Sequence, residues 1–231
     1  MTSSKTLFLF DLDGTLIDTA PTLAMAVNLT RQDEGLAPLP VNDLRPMASQ
    51  GAPGLLRVGF NIDPHHETFM ERRARFLAHY RAHITEGTRL FPEIDALLEG
   101  LKARSMKVGI VTNKSVALTT PLLDALALND RFDVILGFDS PNCAMKPSPL
   151  SIEEALRLTN TAPEAALYAG DDRRDIQAAH NAQVLAAAAK WGYALSYEDW
   201  NADCWAEHPL ALLDWVDQLN TGTNRKTPQM L

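Results

Sequence analysis

Short, unbroken apolar runs recur along the chain, and each of them ends in polar residues. The first run covers Leu7 to Phe10 and stops at an acidic turn that contains Gly14. Similar runs cover residues 107–113, 132–137, 166–170 and 184–189. Apolar runs of this length without alternating polar positions are typical of strands that are buried on both faces of a parallel sheet. The pattern therefore predicts a buried strand at each of these runs.

Stretches with the spacing of amphipathic helices separate the apolar runs. They cover residues 94–103, 117–126, 152–158, 175–181 and 209–219. Strands that alternate with helices of about ten residues indicate βαβ units. We therefore predict the α/β fold class, with a doubly wound, Rossmann-like parallel sheet and helices on both of its faces.

The segment that follows the first strand has a different pattern. One helical pattern begins after Asp18 and is interrupted at Gly35. Further helices are predicted at 42–50 and 65–83, and the glycines and proline of 51–54 predict a break or bend between them. No strand is predicted between residues 16 and 87.

This contrast predicts two domains. Residues 17–86 are expected to form an inserted α-helical domain, and residues 1–16 and 87–231 are expected to form the α/β core. The polar tail from residue 221 onward is expected to be frayed.

The composition excludes several classes of protein. The net charge of −8 over 231 residues argues against nucleic-acid binding, and the group Arg72, Arg73 and Arg75 is expected to be a solvated helix face. No apolar run approaches the ~18 residues of a membrane helix, and the N-terminus lacks a signal-peptide pattern. Two cysteines, Cys143 and Cys204, lack metal-site spacing and fit a reducing compartment. We therefore expect a cytoplasmic protein that binds neither nucleic acid nor membrane.

Polar side chains that can carry chemistry stand at the ends of the predicted strands. They are Asp11, Asp13, Thr112, Asn113, Lys146, Asp171 and Asp175. The carboxyl ends of parallel strands meet at one edge of the sheet, where open α/β sheets bind their ligands. Two carboxylates as close as Asp11 and Asp13 need a metal or a shared proton between them.

Four motifs occur in a fixed order along the chain. They are Asp-Leu-Asp-Gly-Thr at 11–15, Val-Thr-Asn-Lys at 111–114, Lys-Pro-Ser-Pro at 146–149 and Gly-Asp-Asp-Arg-Arg-Asp at 170–175. Together they resemble the motifs of the haloacid dehalogenase superfamily of phosphohydrolases, and the match covers nearly the whole chain. The predicted helical insert resembles the small α-helical cap domain of that family.

The resemblance and simple electrostatics both indicate a Mg²⁺ site. A phosphate monoester dianion repels carboxylates, so an aspartate can attack phosphorus only where a cation neutralises the site. Mg²⁺ prefers oxygen ligands, which Asp11 and Asp171 can supply. The family resemblance implies that the main-chain carbonyl of Asp13 is a third ligand. We group Asp175 with the metal site, where it is expected to orient a metal-bound water or the lysine.

The resemblance also implies hydrolysis through an aspartyl-phosphate on Asp11. Asp13, which lies beside a like charge, is expected to keep a proton and to act as general acid and then as general base. Lys146 is expected to balance the charge of the nucleophile and the phosphate. The expected substrate contacts in the core are Thr112, Asn113 and the amides after Asp11, in Gly14 and Thr15.

The motifs look like the phosphoglycolate phosphatase branch of the superfamily. The later segments Lys190-Trp191-Gly192-Tyr193 and His208-Pro209-Leu210 resemble proteobacterial phosphoglycolate phosphatases, some of which act on N-acetylmuramic acid 6-phosphate. We expect phosphoglycolate as the substrate and keep the muramic acid ester as the alternative. Because the two esters differ greatly in size, the cap must decide between them. Ser49, Gln50 and Gly51 are the cap residues expected to face the substrate.

Other classes of function remain open at this point. A β-phosphoglucomutase-like phosphotransferase would share the motifs, but it would keep a phospho-enzyme and need a sugar bisphosphate. A phospho-receiver domain would need its accepting aspartate at Gly137-Phe138-Asp139, and it has no place for the insert. A non-catalytic binding role is the least expected, because every catalytic position is filled. The expected partner is a small phosphorylated metabolite, and the chain is expected to be a monomer or a homodimer.

Two details concern the helix after the fourth motif. Asp172 is expected to cap its start. Near its end the family usually has a glycine, whereas Asn181-Ala182-Gln183 stands here. Asparagine can adopt the left-handed conformation of a C-cap, so we expect a shifted helix end and no loss of chemistry.

Overall fold

Eight strands are present in the computed structural model, which describes residues 4–222. They are β1 (Leu7–Phe10), β2 (Ile17–Asp18), β3 (Arg89–Leu90), β4 (Lys107–Thr112), β5 (Val134–Gly137), β6 (Ala166–Gly170), β7 (Leu185–Ala189) and β8 (Cys204–Ala206). Six of them form one sheet in the order β5-β4-β1-β6-β7-β8, and every neighbouring pair is parallel. The predicted doubly wound α/β fold is confirmed.

Helices connect these strands and also build the insert. The insert contains α1 (Ala20–Asp33), α2 (Val41–Leu44), α3 (Gly51–Phe60) and α4 (Phe69–Ala82), with a 3₁₀ helix at Arg45–Gln50. The core contains α5 (Ile94–Ala103), α6 (Val116–Ala125), α7 (Leu150–Thr159), α8 (Arg173–Asn181) and α9 (Ala211–Thr221). Among residues 4–222, no helix combines the length and the apolar character that crossing a membrane requires.

Strand β1 is the centre of the core because both of its faces are covered. Phe8 and Phe10 point to the side of α5 and α9, where Phe8 meets the ring of Trp215 edge-on. Leu7 and Leu9 point to the opposite side, which α7 and α8 cover. All four β1 side chains are fully buried, and each contributes roughly 1.5–3 kcal/mol of stability. This two-sided burial explains why the first apolar run has no polar interruption.

The insert leaves and re-enters the core at one place. Strand β2 pairs with β3 in antiparallel fashion, with Ile17 opposite Leu90 and Asp18 opposite Arg89. Helices α1 to α4 pack around a hydrophobic cluster that includes Phe76 of α4, and the core adds Leu118 of α6 and Tyr193 to the same cluster. The domain boundaries given above remain a prediction, and the ribbon of β2 and β3 is the natural connection between the two parts.

For the insert, one prediction was wrong and a second was confirmed only in part. Strand β2 lies inside the segment where no strand was predicted, because two residues are too short to show any periodicity. The predicted break at 51–54 is confined to Gly51, which has φ of 59°. Residues 52–54 already belong to the first turns of α3, where a proline is tolerated because its missing N–H has no partner to lose.

The C-terminal part also differs from the predictions. Strand β8 was missed, because an apolar run of only three residues, Cys204–Ala206, is too short to indicate a strand. Asn181 is not the left-handed residue: it ends α8, its side-chain amide donates to the carbonyl of Pro147, and Gln183 has the positive φ of 60°. Helix α9 runs to Thr221, and the remainder of the predicted frayed tail, 223–231, lies outside the described residues.

Candidate active site

Three neighbouring strands deliver the central groups of the site. Strand β1 lies between β4 and β6, so Asp11, Thr112 and Asp171 emerge side by side at their carboxyl ends. All three are buried. The predicted meeting of these side chains at one sheet edge is therefore observed.

The dominant feature of this edge is a buried acidic cluster. Carboxylate oxygens of Asp11, Asp171 and Asp175 lie within 4.8 Å of one another. The ammonium group of Lys146 lies 2.7 Å from Asp11 Oδ1 and 2.5 Å from Asp175 Oδ1. One ammonium group cannot neutralise three carboxylates. The donor set consists of hard oxygen atoms with excess negative charge, which fits a divalent cation.

The protonation equilibria reflect this charge imbalance. Burial raises the pKa of Asp171 well above its usual range, and the nearby carboxylates Asp11 and Asp175 raise it further. Burial also raises the pKa of Asp175, to about 7, although the Lys146 ammonium opposes the shift. Burial alone would lower the pKa of Lys146, but Asp11 and Asp175 hold it above its usual value. The cluster therefore favours any added positive charge, whether proton or metal ion.

Two glycines allow the chain to approach Asp171 this closely. At Gly14, which has φ of 91°, a Cβ atom would lie 2.2 Å from Asp171 Oδ2. At Gly192 a Cβ atom would lie 2.2 Å from the Asp171 Cβ. Gly192 was not among the predicted site residues, and its place directly before Tyr193, whose amide donates to Asp171 Oδ2 at 2.9 Å, is visible only in the structure.

The residues Gly14 and Thr15 support Asp171 from behind rather than line the cleft. The amide of Gly14 donates to Ile17 O at 3.0 Å, and the amide of Thr15 donates to Leu12 O at 3.4 Å. The Thr15 hydroxyl donates to Asp171 Oδ1 at 3.2 Å. Their predicted role as phosphate contacts is therefore not reflected in their observed partners.

Asp13 lies apart from the acidic cluster. Its carboxylate accepts hydrogen bonds from Lys114 Nζ at 3.0 and 3.1 Å and from Thr19 Oγ1 at 2.6 Å. Its ion-pair partner is the Lys114 ammonium group, and the proton expected on Asp13 stays a prediction. Its predicted role in proton transfer remains a prediction.

Lys114 is the main site residue without a predicted role. It is buried, and its ammonium group lies 4.6 Å from the ring centroid of Tyr80 in α4. Burial lowers the pKa of Lys114, but Asp13 and Tyr80 outweigh that effect and hold the pKa above its usual value. Its position directly after Thr112 and Asn113 in the second motif was the available signal.

Asn113 and Thr112 hold the loops that carry Lys146 and Lys114. The Asn113 carboxamide accepts from the Lys146 amide at 2.7 Å and donates to the Lys146 carbonyl at 3.2 Å. The hydroxyl of Thr112 accepts from the Lys114 amide at 3.2 Å. Both residues also line the cleft, so Asn113 positions the lysine whether or not it also contacts substrate.

A cleft of about 800 Å³ lies between the core and the insert. Ser49, Gln50 and Gly51 all line it, as predicted from the sequence. The Ser49 hydroxyl donates to Asp171 Oδ2 at 3.0 Å. The side-chain oxygen Oε1 of Gln50 accepts a hydrogen bond from the Arg57 guanidinium, also in the insert, at 2.7 Å.

Asp172 and Arg174 connect the start of α8 to the insert. Asp172 accepts from the Arg174 amide at 2.9 Å, and the Asp175 carboxylate accepts from the Asp172 amide at 3.0 Å. This reciprocal pair confirms Asp172 as the helix cap. The Arg174 guanidinium binds the Asp172 carboxylate and also donates to the main-chain carbonyl of Ser49 at 2.7 Å.

The arginines of α4 do not share one environment. Arg72 and Arg75 pair with Glu34, which directly follows α1, at 2.7 and 2.8 Å. Arg73 instead lines the cleft, as does Arg81. The expectation of a single solvated face was therefore wrong for Arg73.

Comparisons with known proteins show the same architecture. A family model described as haloacid dehalogenase-like hydrolase matches residues 8–189. An N-acetylmuramic acid 6-phosphate phosphatase from Pseudomonas putida is 31% identical over 217 residues, which cover 93% of this chain and 97% of that protein. A phosphoglycolate phosphatase from Xanthomonas campestris pv. campestris is 36% identical over 210 residues, which cover 88% and 93%. The crystal structure of a predicted phosphoglycolate phosphatase from Haemophilus somnus 129pt superposes with a TM-score of 0.81 at 26% identity, covering 93% and 99%.

The family match includes the acidic cluster described above. The family model begins within β1 and ends with β7, so it contains all three carboxylates of the acidic cluster together with Lys146. Both relatives align along nearly the whole of this chain and are phosphatases. The protein is therefore a phosphatase, and it belongs to the haloacid dehalogenase-like hydrolases.

Proposed function

We propose that the protein hydrolyses phosphate monoesters of small metabolites with the help of Mg²⁺, by transferring the phosphoryl group to Asp11. The observation that carries this proposal is the buried cluster of Asp11, Asp171 and Asp175 around Lys146. Buried carboxylates in excess of their counter-charges are costly unless a cation joins them. A phosphate dianion can approach these carboxylates only when a bound cation offsets their negative charge.

Asp11 is suited to act as the nucleophile. Lys146 holds its Oδ1 atom at 2.7 Å, which fixes the carboxylate and leaves Oδ2 to attack phosphorus. Asp11 and Asp171 would hold Mg²⁺ together with the main-chain carbonyl of Asp13. The bound ion would neutralise the charge of the phosphoryl group.

Asp13 is placed for the second half of the reaction. Lys114 and Thr19 both donate to its carboxylate, which fixes the orientation of the group. As a carboxylate, Asp13 can take a proton from the water that attacks the aspartyl-phosphate. To protonate the leaving oxygen in the first half, it must take up a proton when the substrate displaces these partners.

The raised pKa values predict a pH-dependent response to Mg²⁺. The pKa of Asp175 is about 7 in the folded chain and about 3.9 in an unfolded one. The folded state thus binds this proton more tightly, so in the metal-free protein Asp175 contributes stability that is fully present below pH ~4 and is lost as the pH rises through about 7. Mg²⁺ competes with these protons, so its stabilising effect grows with pH.

We therefore expect Mg²⁺ to raise the thermal midpoint by several degrees more near pH 8 than near pH 5.5. Differential scanning fluorimetry with Mg²⁺ and with a chelator measures both shifts. Mg²⁺-free buffer with added Na⁺ at equal ionic strength controls for screening. An equal midpoint shift at both pH values would contradict a proton-linked carboxylate site.

Two esters are candidates for the substrate. Phosphoglycolate is the first, because several relatives that are about 36% identical to this chain bear that name. N-acetylmuramic acid 6-phosphate is the second, and the cleft favours it: about 800 Å³ is far more room than a two-carbon acid needs, and it suits a ligand of drug-like size.

The direct test is phosphate release in the presence of Mg²⁺, compared by kcat/KM. The panel contains 2-phosphoglycolate, N-acetylmuramic acid 6-phosphate, glucose 6-phosphate and a nucleoside monophosphate. We expect one of the first two esters to exceed the last two by about ten-fold or more. Release from none of them would contradict the proposed function, and phosphoryl exchange with a sugar bisphosphate without net release would indicate a mutase.

A further inference from the structure

One stripe of α4 forms part of the cap side of the cleft. Arg73, Phe76, Leu77, Tyr80 and Arg81 all line it. Their spacing of three and four residues places them on one face of the helix. The stripe therefore presents an apolar centre with an arginine at each end.

These two arginines differ from the other charged groups of the cleft. The acidic side chains that line it each have a cation: Asp11 pairs with Lys146, Asp13 with Lys114 and Asp172 with Arg174. Within residues 4–222, by contrast, no carboxylate lies within ion-pair distance of Arg73 or Arg81. The cap side of the cleft thus carries positive charge that no group of the described chain neutralises.

Arg73 is the better placed of the two to recognise a ligand. It is half-buried, whereas Arg81 is exposed. A guanidinium with restricted access to water binds a carboxylate more strongly than a fully solvated one does. Arg81 is instead suited to attracting anions without fixing their position.

The position of Arg73 along α4 sets its distance from the catalytic groups. Tyr80 marks the end of α4 near the catalytic groups, because its ring contacts Lys114, which binds Asp13. Arg73 lies seven residues earlier, which is about 10 Å along the helix axis, and helical side chains lean toward the N-terminus, away from Tyr80. An anion bound by Arg73 is therefore well separated from the reacting phosphate.

We propose that Arg73 binds a carboxylate on the leaving group, so that the preferred substrate is a phosphate ester whose carboxylate lies about a sugar ring away from the phosphorus. This inference rests on the proposed phosphatase activity and narrows its substrate class. Phosphoglycolate has a single methylene between its ester oxygen and its carboxylate, which is too short for this span. A muramic acid 6-phosphate carries its lactyl carboxylate across the ring from the phosphate, and the apolar centre of the stripe can cover the ring.

A matched pair of substrates tests the proposal. N-acetylmuramic acid 6-phosphate and N-acetylglucosamine 6-phosphate differ only in the lactyl ether. We expect wild-type kcat/KM to favour the muramic ester by roughly 10- to 100-fold, as the loss of one charge-assisted hydrogen bond predicts. Arg73→Gln should reduce kcat/KM for the muramic ester by a similar factor and leave the glucosamine ester within about two-fold.

Arg75→Gln is the matched control, because it removes the same charge from the same helix on the side that faces Glu34. It should leave both kcat/KM values unchanged, and circular dichroism of both variants should match the wild type. Equal use of the two sugar esters by the wild type, or an equal loss on both in Arg73→Gln, would overturn the inference. If the wild type still hydrolyses 2-phosphoglycolate in that case, the proposed function stands; if no ester is hydrolysed, both fail.

Discussion

Replacing Asp11 by asparagine is expected to lower turnover by a factor on the order of 10⁴ or more. The carboxamide cannot form the acyl phosphate, and it removes one of the carboxylates that would hold the metal ion. The fold should survive, because the side chain keeps its size and Asp175 still pairs with Lys146 at 2.5 Å. Phosphate release under saturating Mg²⁺ and the thermal midpoint measure the two effects separately.

Asp43→Asn supplies the control for this variant, because it makes the same change on an exposed residue of α2. Its turnover should equal that of the wild type. Turnover in Asp11→Asn within ten-fold of the wild type would rule out Asp11 as the nucleophile. Loss of the thermal transition would instead point to a structural role.

Replacing Lys146 by methionine is expected to have the second-largest effect. The ammonium group contacts Asp11, Asp175 and the Tyr168 hydroxyl, the last at 2.9 Å. Removing one partner of a buried ion pair typically costs about 3–5 kcal/mol of the free energy of unfolding. Turnover should also fall by roughly 10³-fold, because the nucleophile and the phosphate lose a fixed positive charge.

Chemical denaturation with and without Mg²⁺ separates these contributions. Added Mg²⁺ should restore part of the stability of Lys146→Met, because it supplies charge to the same carboxylates, but it should not restore turnover. Lys102→Met, on the exposed face of α5, should change neither quantity. A Lys146→Met variant as stable as the wild type in chelator would show that the acidic cluster does not depend on this lysine.

The catalytic groups at the sheet edge could be predicted because each apolar run that predicts a strand ends at a residue of one of the motifs. Apolar runs that end in Asp11, Thr112 and Asp171 reveal both the buried strand and the group at its end. The same pattern could not show that Asp13 turns away toward Lys114, because the direction of a side chain after a strand depends on the local turn. It also could not reveal that Gly192 must lack a Cβ to admit Asp171, since the two residues meet only in the folded chain.

The cap was harder to predict than the core. Its helices follow a visible periodicity, but the two-residue strands at its base have none. The pairing of Arg72 and Arg75 with Glu34, which leaves Arg73 to the cleft, depends on how α1 and α4 cross. Single-sequence periodicity gives the faces of a helix and not the partner that each face meets.

The short ribbon of β2 and β3 allows the cap to change during evolution while the core stays the same. Because Asp18 of β2 lies opposite Arg89 of β3, the chain leaves the core and returns to it at the same place. The stability of the core therefore depends little on the length of the inserted chain. Closing a longer loop between fixed ends adds only a fraction of a kcal/mol to the free-energy cost for each modest extension. Insertions and deletions in the cap can accumulate without altering the strands that position Asp11, provided that the contacts of Ser49 with Asp171 and of Tyr80 with Lys114 are kept or replaced. In this way the same catalytic residues can be retained in proteins whose caps differ and whose substrates differ.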